Sequence, residues 1–203
     1  MFAATLDLPD DLAVPDEMIR AWAWMEANGE LHQRDDSDGR TFLTPYTGER
    51  QLGIVFDSGA TLTGWFGDEE VEARVARRVL PFAEISGDGG IGALWLDDDG
   101  ATRFVALTTD GETFVLADSA VDFLRLVAVG YDELRSWTIG TDVAELDPEE
   151  DDFLLECVEA LAPFRSWVEQ EFGTTVPTAW SQVDPDDNGF ATWINEQTAP
   201  AGA

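Results

Sequence analysis

The sequence contains no lysine, one histidine and one cysteine among its 203 residues. Because Cys157 has no second cysteine to pair with, no intrachain disulfide can form, and a cysteine-rich metal site is also excluded. No segment approaches the ~20 consecutive apolar residues of a transmembrane helix, and residues 1–7 lack the basic and apolar regions of a signal peptide. We therefore expect a cytoplasmic protein that does not enter a membrane.

Positive charge is scarce, whereas negative charge is abundant. All 11 basic residues are arginines and stand against 42 acidic residues, which gives a formal net charge of −31. Such a chain is expected to repel nucleic acids and anionic membranes, because binding to either depends on basic residues that neutralise phosphates. Two compatible interpretations of the acidity remain open: it maintains solubility, also in high salt, or it steers a basic partner toward the chain.

The sequence shows no catalytic or nucleotide-binding motif. A cysteine–histidine pair or a Ser-His-Asp triad would have to use His32, and Cys157 falls among apolar residues at helical spacing, which is typical of a buried thiol. The glycine-rich residues 87–90 lack the lysine of a phosphate-binding loop and include an aspartate that would repel phosphate. We expect neither catalysis nor a cofactor.

Residues 184–189 begin like a calcium-binding loop. Two aspartates and an asparagine alternate along this segment and a glycine follows, as in the first half of such a loop. The bidentate glutamate that should close the loop is replaced by Asn195, and Glu196 comes one residue too late. An acidic turn without a metal ion is the favoured interpretation.

In the first part of the chain, the hydrophobic pattern predicts two helices and a hairpin. Residues 15–27 have apolar side chains at helical spacing and end at an Asn-Gly pair. Residues 51–56 and 61–66 are rich in β-branched and aromatic side chains, so we expect them to pair as a hairpin. A helix over residues 68–79 should begin at an aspartate cap and end at Pro81.

The rest of the chain is expected to form a β meander followed by helices. Short β-rich segments over residues 93–116 are separated by Asp-Gly turns, which favour antiparallel pairing over βαβ crossovers. Helices are predicted over residues 119–130 and 147–172, with Pro163 dividing the second one. These elements predict an α+β fold in which helices wrap a mostly antiparallel sheet.

Several short sequence segments in the middle of the chain are similar to segments of a known family. They are Leu80-Pro81-Phe82-Ala83, the turn over residues 87–92, Ala93-Leu94-Trp95, Ser119-Ala120-Val121-Asp122-Phe123-Leu124 and Gly130-Tyr131-Asp132-Glu133-Leu134. Three similar segments lie later in the chain: Phe164-Arg165-Ser166-Trp167-Val168, Phe172-Gly173 and Val176-Pro177. Together they resemble the SUKH superfamily, which contains regulators of cell-wall synthesis and bacterial immunity proteins that neutralise toxins. The resemblance covers roughly residues 79–177.

The resemblance implies an α+β fold and a function in protein binding. The family has no known shared catalytic residues or cofactor, and its members bind diverse partners through variable surfaces, so it supplies no site residues. We predict one SUKH-like domain over residues 1–178 and a C-terminal extension over residues 179–203. Trp180 and Trp193 should dock the extension in part, and its last residues should be disordered.

Exposed turns supply the candidates for partner contact. The acidic candidates are Asp35, Asp36, Asp38, Asp97, Asp98 and Asp99. Ordinary turn formation and solvation would also explain these aspartates. Trp65, which stands beside Gly64 and near Gly67, could be an exposed aromatic anchor, and a core position is the alternative.

The acidity and the SUKH resemblance together imply a non-catalytic module that binds a protein, acting as an immunity protein that occludes a basic toxin such as a nuclease. The alternative is a regulatory or scaffold protein that binds host proteins and has no cognate toxin. A hydrolase without a recognisable motif is the third possibility.

Overall fold

The computed structural model describes residues 2–34, 40–48, 52–182 and 189–199. Within these ranges, six α-helices surround a seven-stranded antiparallel sheet. Each strand pairs with the strand that follows it in the chain, so the whole sheet is a meander. The predicted α+β fold, with a mostly antiparallel sheet and helices around it, is confirmed.

The strands are β1 (Leu31–Gln33), β2 (Thr41–Leu43), β3 (Val55–Asp57), β4 (Val79–Glu84), β5 (Ile91–Leu96), β6 (Thr102–Leu107) and β7 (Thr113–Ala117). The helices are α1 (Asp16–Ala27), α2 (Glu69–Val75), α3 (Ala120–Val129), α4 (Asp152–Ala160), α5 (Ala162–Phe172) and α6 (Gly189–Thr198). A short 3-10 helix, Phe2–Thr5, precedes α1. In the described part of the chain, no helix is long and apolar enough to cross a membrane.

Side-chain caps and a glycine set the ends of the central helices. The Asp68 carboxylate accepts a hydrogen bond from the backbone N–H of Glu70 at 2.8 Å, which begins α2. The Ser119 hydroxyl accepts one from the N–H of Asp122 at 3.1 Å and begins α3 in the same way. Gly130, with a φ of +107°, ends α3 in the left-handed conformation. Both predicted helix starts are therefore confirmed.

Successive strand side chains point to opposite sides of the sheet, and helices bury both of these sides. On one side, Leu94 and Phe104 belong to a large core cluster that includes residues of α1, α3, α4 and α5. On the other side, Trp95 and Val105 belong to a second cluster with residues of α2 and α6. The sheet is thus the middle layer between two sets of helices.

The predicted hairpin between residues 51–56 and 61–66 is wrong. Strand β3 covers only Val55–Asp57 and pairs with β2 and β4, whereas residues 61–66 form turns. Leu62 from this segment is buried in the second core cluster. Burial of Leu62 and the pairing of β3 with more distant strands replace the local hairpin; residue 51 lies outside the described part of the chain.

Pro81 lies inside a strand and does not end a helix as predicted. Helix α2 already ends at Val75, and Pro81 of β4 stands opposite Ala93 of β5. The pairing register shifts between Pro81 and Ala83. A proline is tolerated at such an irregularity because the ladder does not require its missing N–H there.

The predicted meander and the division of the later helix at Pro163 agree with the structure. Strands β5, β6 and β7 form the predicted meander, and α4 and α5 are separate helices. Pro163 is the second residue of α5, where the missing N–H is not needed. Trp180 is buried in the large core cluster, and the Trp193 ring of α6 lies 5.8 Å from that of Trp95. Residues 200–203, which include most of the predicted disordered end, lie outside the described part.

Candidate functional site

Three of the predicted contact residues occupy the turn between β5 and β6. Asp97 is buried, and its carboxylate accepts hydrogen bonds from the N–H of Asp99 at 3.0 Å and from Arg103 Nε at 2.9 Å. Asp98 is 78% exposed and pairs with Arg78 at 2.6 Å, and Asp99 is exposed. The prediction of exposure is therefore wrong for Asp97, because its carboxylate is needed to bind the N–H groups of its own turn.

The other predicted contact residues are placed as follows. Trp65 is half-buried and packs against the second core cluster. Its exposure therefore lies between that of an exposed anchor and that of a core residue. Asp35, Asp36 and Asp38 lie outside the described residues, and so do residues 184–188 of the calcium-like segment. Among the residues that are described, no group of three or more His, Cys, Asp and Glu side chains could hold a metal ion.

The structure does not bring His32 and Cys157 together. The His32 ring packs in a tilted arrangement against Phe42, with ring centroids 5.4 Å apart. Phe42 points to the opposite side of β2 from Leu43, which belongs to the large core cluster. Cys157 is buried inside that cluster. Burial, aided by the negative charge of Asp132, raises the pKa of the Cys157 thiol to about 12. The thiol is therefore protonated at neutral pH, as expected for a buried cysteine.

A surface that the sequence analysis missed lies at the other end of the sheet. The turns that connect β4 to β5 and β6 to β7 share this end, whereas the turn containing Asp97 lies at the opposite one. The segment that follows α3 and the first turn of α4 are also here. We call residues 85–90, 108–112 and 131–137 together with Phe153 the Arg135 face.

Arg135 connects three parts of this face. Its buried guanidinium forms ion pairs with Asp88 of the first turn, with Asp110 of the second turn at 3.6 Å, and with Glu133 at 2.9 Å. The hydrogen bond with Asp88, and further hydrogen bonding and attraction from Asp88 and Glu133, outweigh burial and raise the pKa of Arg135. The three segments are therefore held in one arrangement by a permanent positive charge.

Asp88 is anchored by more than its ion pair. It accepts a hydrogen bond from the Ser86 hydroxyl at 2.6 Å and another from the Thr109 hydroxyl. These two bonds, followed by the bond from Arg135, hold the pKa of Asp88 well below its usual range. The Thr109 bond also joins the two turns directly.

Negative charge remains in excess on the Arg135 face. Its only basic residue is Arg135, and its acidic residues are Asp88, Asp110, Glu112, Asp132 and Glu133. Asp132 is half-buried, and burial together with repulsion from Glu133 raises the pKa of its carboxyl group. A cation placed nearby would relieve this repulsion, so the face is electrostatically suited to a positively charged group.

Two large aromatic side chains project from the Arg135 face. Trp137 is 61% exposed, and its ring centroid lies 5.0 Å from the guanidinium of Arg135. Phe153 is 49% exposed and lines a pocket of about 560 Å³ that is also lined by Asp88 and Glu133. Because these two carboxylates also bind Arg135, the aromatic side chains flank the same charged centre.

The sequence contained only a weak signal for these two aromatic residues. Phe153 lies four residues before Cys157, so helical spacing alone would place both on one buried face. Helix α4 begins at Asp152, and its first turn leaves Phe153 half exposed, whereas Cys157 is buried. Trp137 lies in a segment without helical or strand periodicity, and this irregular placement was the one available indication of exposure.

Comparison with known proteins gives no match, either to a protein-family model or to a curated protein or a solved structure. The SUKH resemblance therefore stays a prediction from the sequence.

Proposed function

We propose that this chain is a non-catalytic protein-binding module that acts as an immunity protein and neutralises a basic toxin by covering its surface. The observation that carries the proposal is the net charge of −31, which remains after the 11 arginines are counted against the 42 acidic residues. A large field of one sign attracts partners of the opposite sign and speeds their association.

The arginines contribute little free positive charge, because most of them pair with carboxylates of the same chain. Those in ion pairs are Arg20, Arg34, Arg78, Arg103, Arg125 and Arg135. Arg165 donates instead to the backbone carbonyls of Ala128 and Val129 at the end of α3. The uncompensated charge is therefore acidic, which supports a basic protein partner and disfavours nucleic acid.

The sequence resemblance gives the more specific part of the proposal. SUKH proteins include immunity proteins, and the observed α+β architecture agrees with the fold that the resemblance implied. On this basis we infer neutralisation of a toxin, with a nuclease as a suitable basic target. The mechanism is steric: the acidic surface binds the positively charged surface through which the toxin reaches its substrate.

Affinity capture tests this proposal. The purified chain is used as bait in a native lysate of its source, and partners recovered in equal amount with the bait are identified by mass spectrometry. We expect one basic protein with a toxic enzymatic activity, and we expect increasing amounts of the chain to suppress that activity until the two are equimolar.

Two results would contradict the proposal. Recovery of several housekeeping proteins whose activities do not change would favour the regulatory or scaffold alternative. Failure to recover any equimolar partner from the native lysate would contradict tight binding to a toxin.

A further inference from the structure

We propose that the Arg135 face is the surface that binds the partner, and that its occupant is an arginine-bearing segment of that partner. The inference rests on the proposed function only in that the natural occupant is a protein. It goes further because it assigns the binding surface on this chain and the type of side chain that the partner places there.

The two aromatic rings of this face keep about half or more of their surface exposed in the described part of the chain. Four large hydrophobic side chains are exposed in the described residues, and two of them, Trp137 and Phe153, belong to the Arg135 face. Tryptophan is enriched among the residues that dominate binding energy, and so is arginine on the partner side. Two exposed rings that flank one charged centre are therefore suited to anchor a partner.

The contact between Arg135 and Trp137 places a guanidinium against this ring. A guanidinium is planar and weakly hydrated, so it stacks on an aromatic ring more favourably than an ammonium group does. Arg135 already lies 5.0 Å from the ring centroid, while 61% of the Trp137 surface remains exposed. A second guanidinium from outside can occupy the open part of the ring.

The charge around the rings selects a cationic occupant. The pocket beside Phe153 is lined by the carboxylates of Glu84, Asp88, Asp132 and Glu133, with a volume of about 560 Å³. Glu84 is paired with Arg34, and Asp88 and Glu133 with Arg135, whereas no arginine in the described part of the chain pairs with Asp132. A guanidinium can bind carboxylates through two parallel hydrogen bonds, which lysine cannot do.

The backbone of the face is already fixed before a partner arrives. Arg135 and Thr109 join the two turns, and Ser136 donates to Glu112 at 2.6 Å. Ordering of flexible loops opposes binding, so a surface held in place by its own ion pairs avoids part of that loss. The Asp97 turn has no comparable pair of exposed aromatic side chains, since Trp95 beside it is buried.

A titration with a defined peptide tests the inference. The probe is a capped peptide of alternating arginine and glycine, and its matched control has lysine in place of each arginine. Binding is followed by NMR through backbone amides and tryptophan indole N–H groups, with the Trp137 indole assigned by W137F. We expect the shifts to concentrate on the Arg135 face and the arginine peptide to bind more tightly than the lysine peptide.

Substitutions separate this surface from the general negative field of the chain. The double variant W137A/F153A keeps the net charge and should weaken binding of the arginine peptide about tenfold, whereas L31A, which removes another exposed side chain, should not. Asp132→Asn should weaken binding more than Asp99→Asn, although both remove one charge. Circular dichroism checks that all variants are folded.

Equal binding by W137A/F153A, L31A and the unaltered chain would overturn the inference, as would shifts spread evenly over the acidic surface. Self-association that W137A abolishes would assign the face to a second copy of the chain and would also overturn it. None of these outcomes would affect capture of a basic toxin, so failure of the surface assignment is distinguishable from failure of the proposed function.

Discussion

Among single residues, Asp88 makes the clearest pH-dependent contribution, because Ser86, Thr109 and Arg135 all bind its ionised form. Its pKa is lowered in the folded state, so its contribution is fully present above the unfolded value of about 4. It is lost as the pH falls through the lower folded value. We therefore expect D88N to reduce the free energy of unfolding at neutral pH, and the difference from the unaltered chain to shrink under acidic conditions.

Urea denaturation at a series of pH values measures this difference. D99N is the matched control, because it also removes one negative charge but changes an exposed residue at the opposite end of the sheet. A loss of stability for D88N that is independent of pH, or equal to that of D99N, would show that Asp88 does not hold the Arg135 face through its charge.

The exposure of individual side chains was the property that the sequence predicted least well. The Asp97–Gly100 turn was recognisable, but a buried Asp97 that binds N–H groups of its own turn has the same sequence signature as an exposed aspartate. Trp137 and Phe153 were equally ambiguous, since exposure depends on elements that lie far away in the chain. The buried position of Cys157 was predictable because its helix carries apolar residues on both sides of it.

At the scale of secondary-structure elements, the contact between α3 and α4 gives the sharpest test. Gly130 has a φ of +107°, and a Cβ at this position would lie 2.9 Å from the Cα of Val158. We expect G130A to destabilise the fold through both backbone strain and overpacking, each of which costs about 1–3 kcal/mol. Chemical denaturation measures the sum.

Gly100 provides the control that separates these two effects. Its φ is +79°, but a Cβ there would meet no atom within 4 Å, so G100A introduces backbone strain alone. G130A should therefore be less stable than G100A by about 1–3 kcal/mol. Equal losses would mean that the close approach of α4 to Gly130 does not contribute.

Elements with local signals were predictable, whereas those that depend on distant pairing were not. The meander from β5 to β7 has tight turns, and α3 has a serine cap and a terminal glycine, so both follow from the sequence. Strand β3 was assigned the wrong partner because β4 lies beyond α2 in the chain. Strand β4 was missed because Pro81 is normally a strand-breaking residue.

For the whole molecule, composition predicted the sign of the field and the hydrophobic pattern predicted the fold class, but neither gave the position of a binding surface. With 42 acidic and 11 basic residues, most carboxylates have no arginine to pair with, so like-charge repulsion opposes the compact state. We expect the urea midpoint of unfolding to rise from low to high sodium chloride, since the screening length falls from about 30 Å at 0.01 M to about 3 Å at 1 M. Potassium chloride should act equally, and a midpoint that falls with either salt would contradict this explanation.

The most direct test of the central claim is the rate at which the chain associates with its captured partner, measured by stopped flow over the same range of salt concentrations. Recognition of a basic protein through the acidic field predicts an association rate that falls steeply as salt rises, by about tenfold or more. The same salt should stabilise the isolated chain, so the slowing cannot be attributed to unfolding. An association rate that does not change with salt would contradict the account.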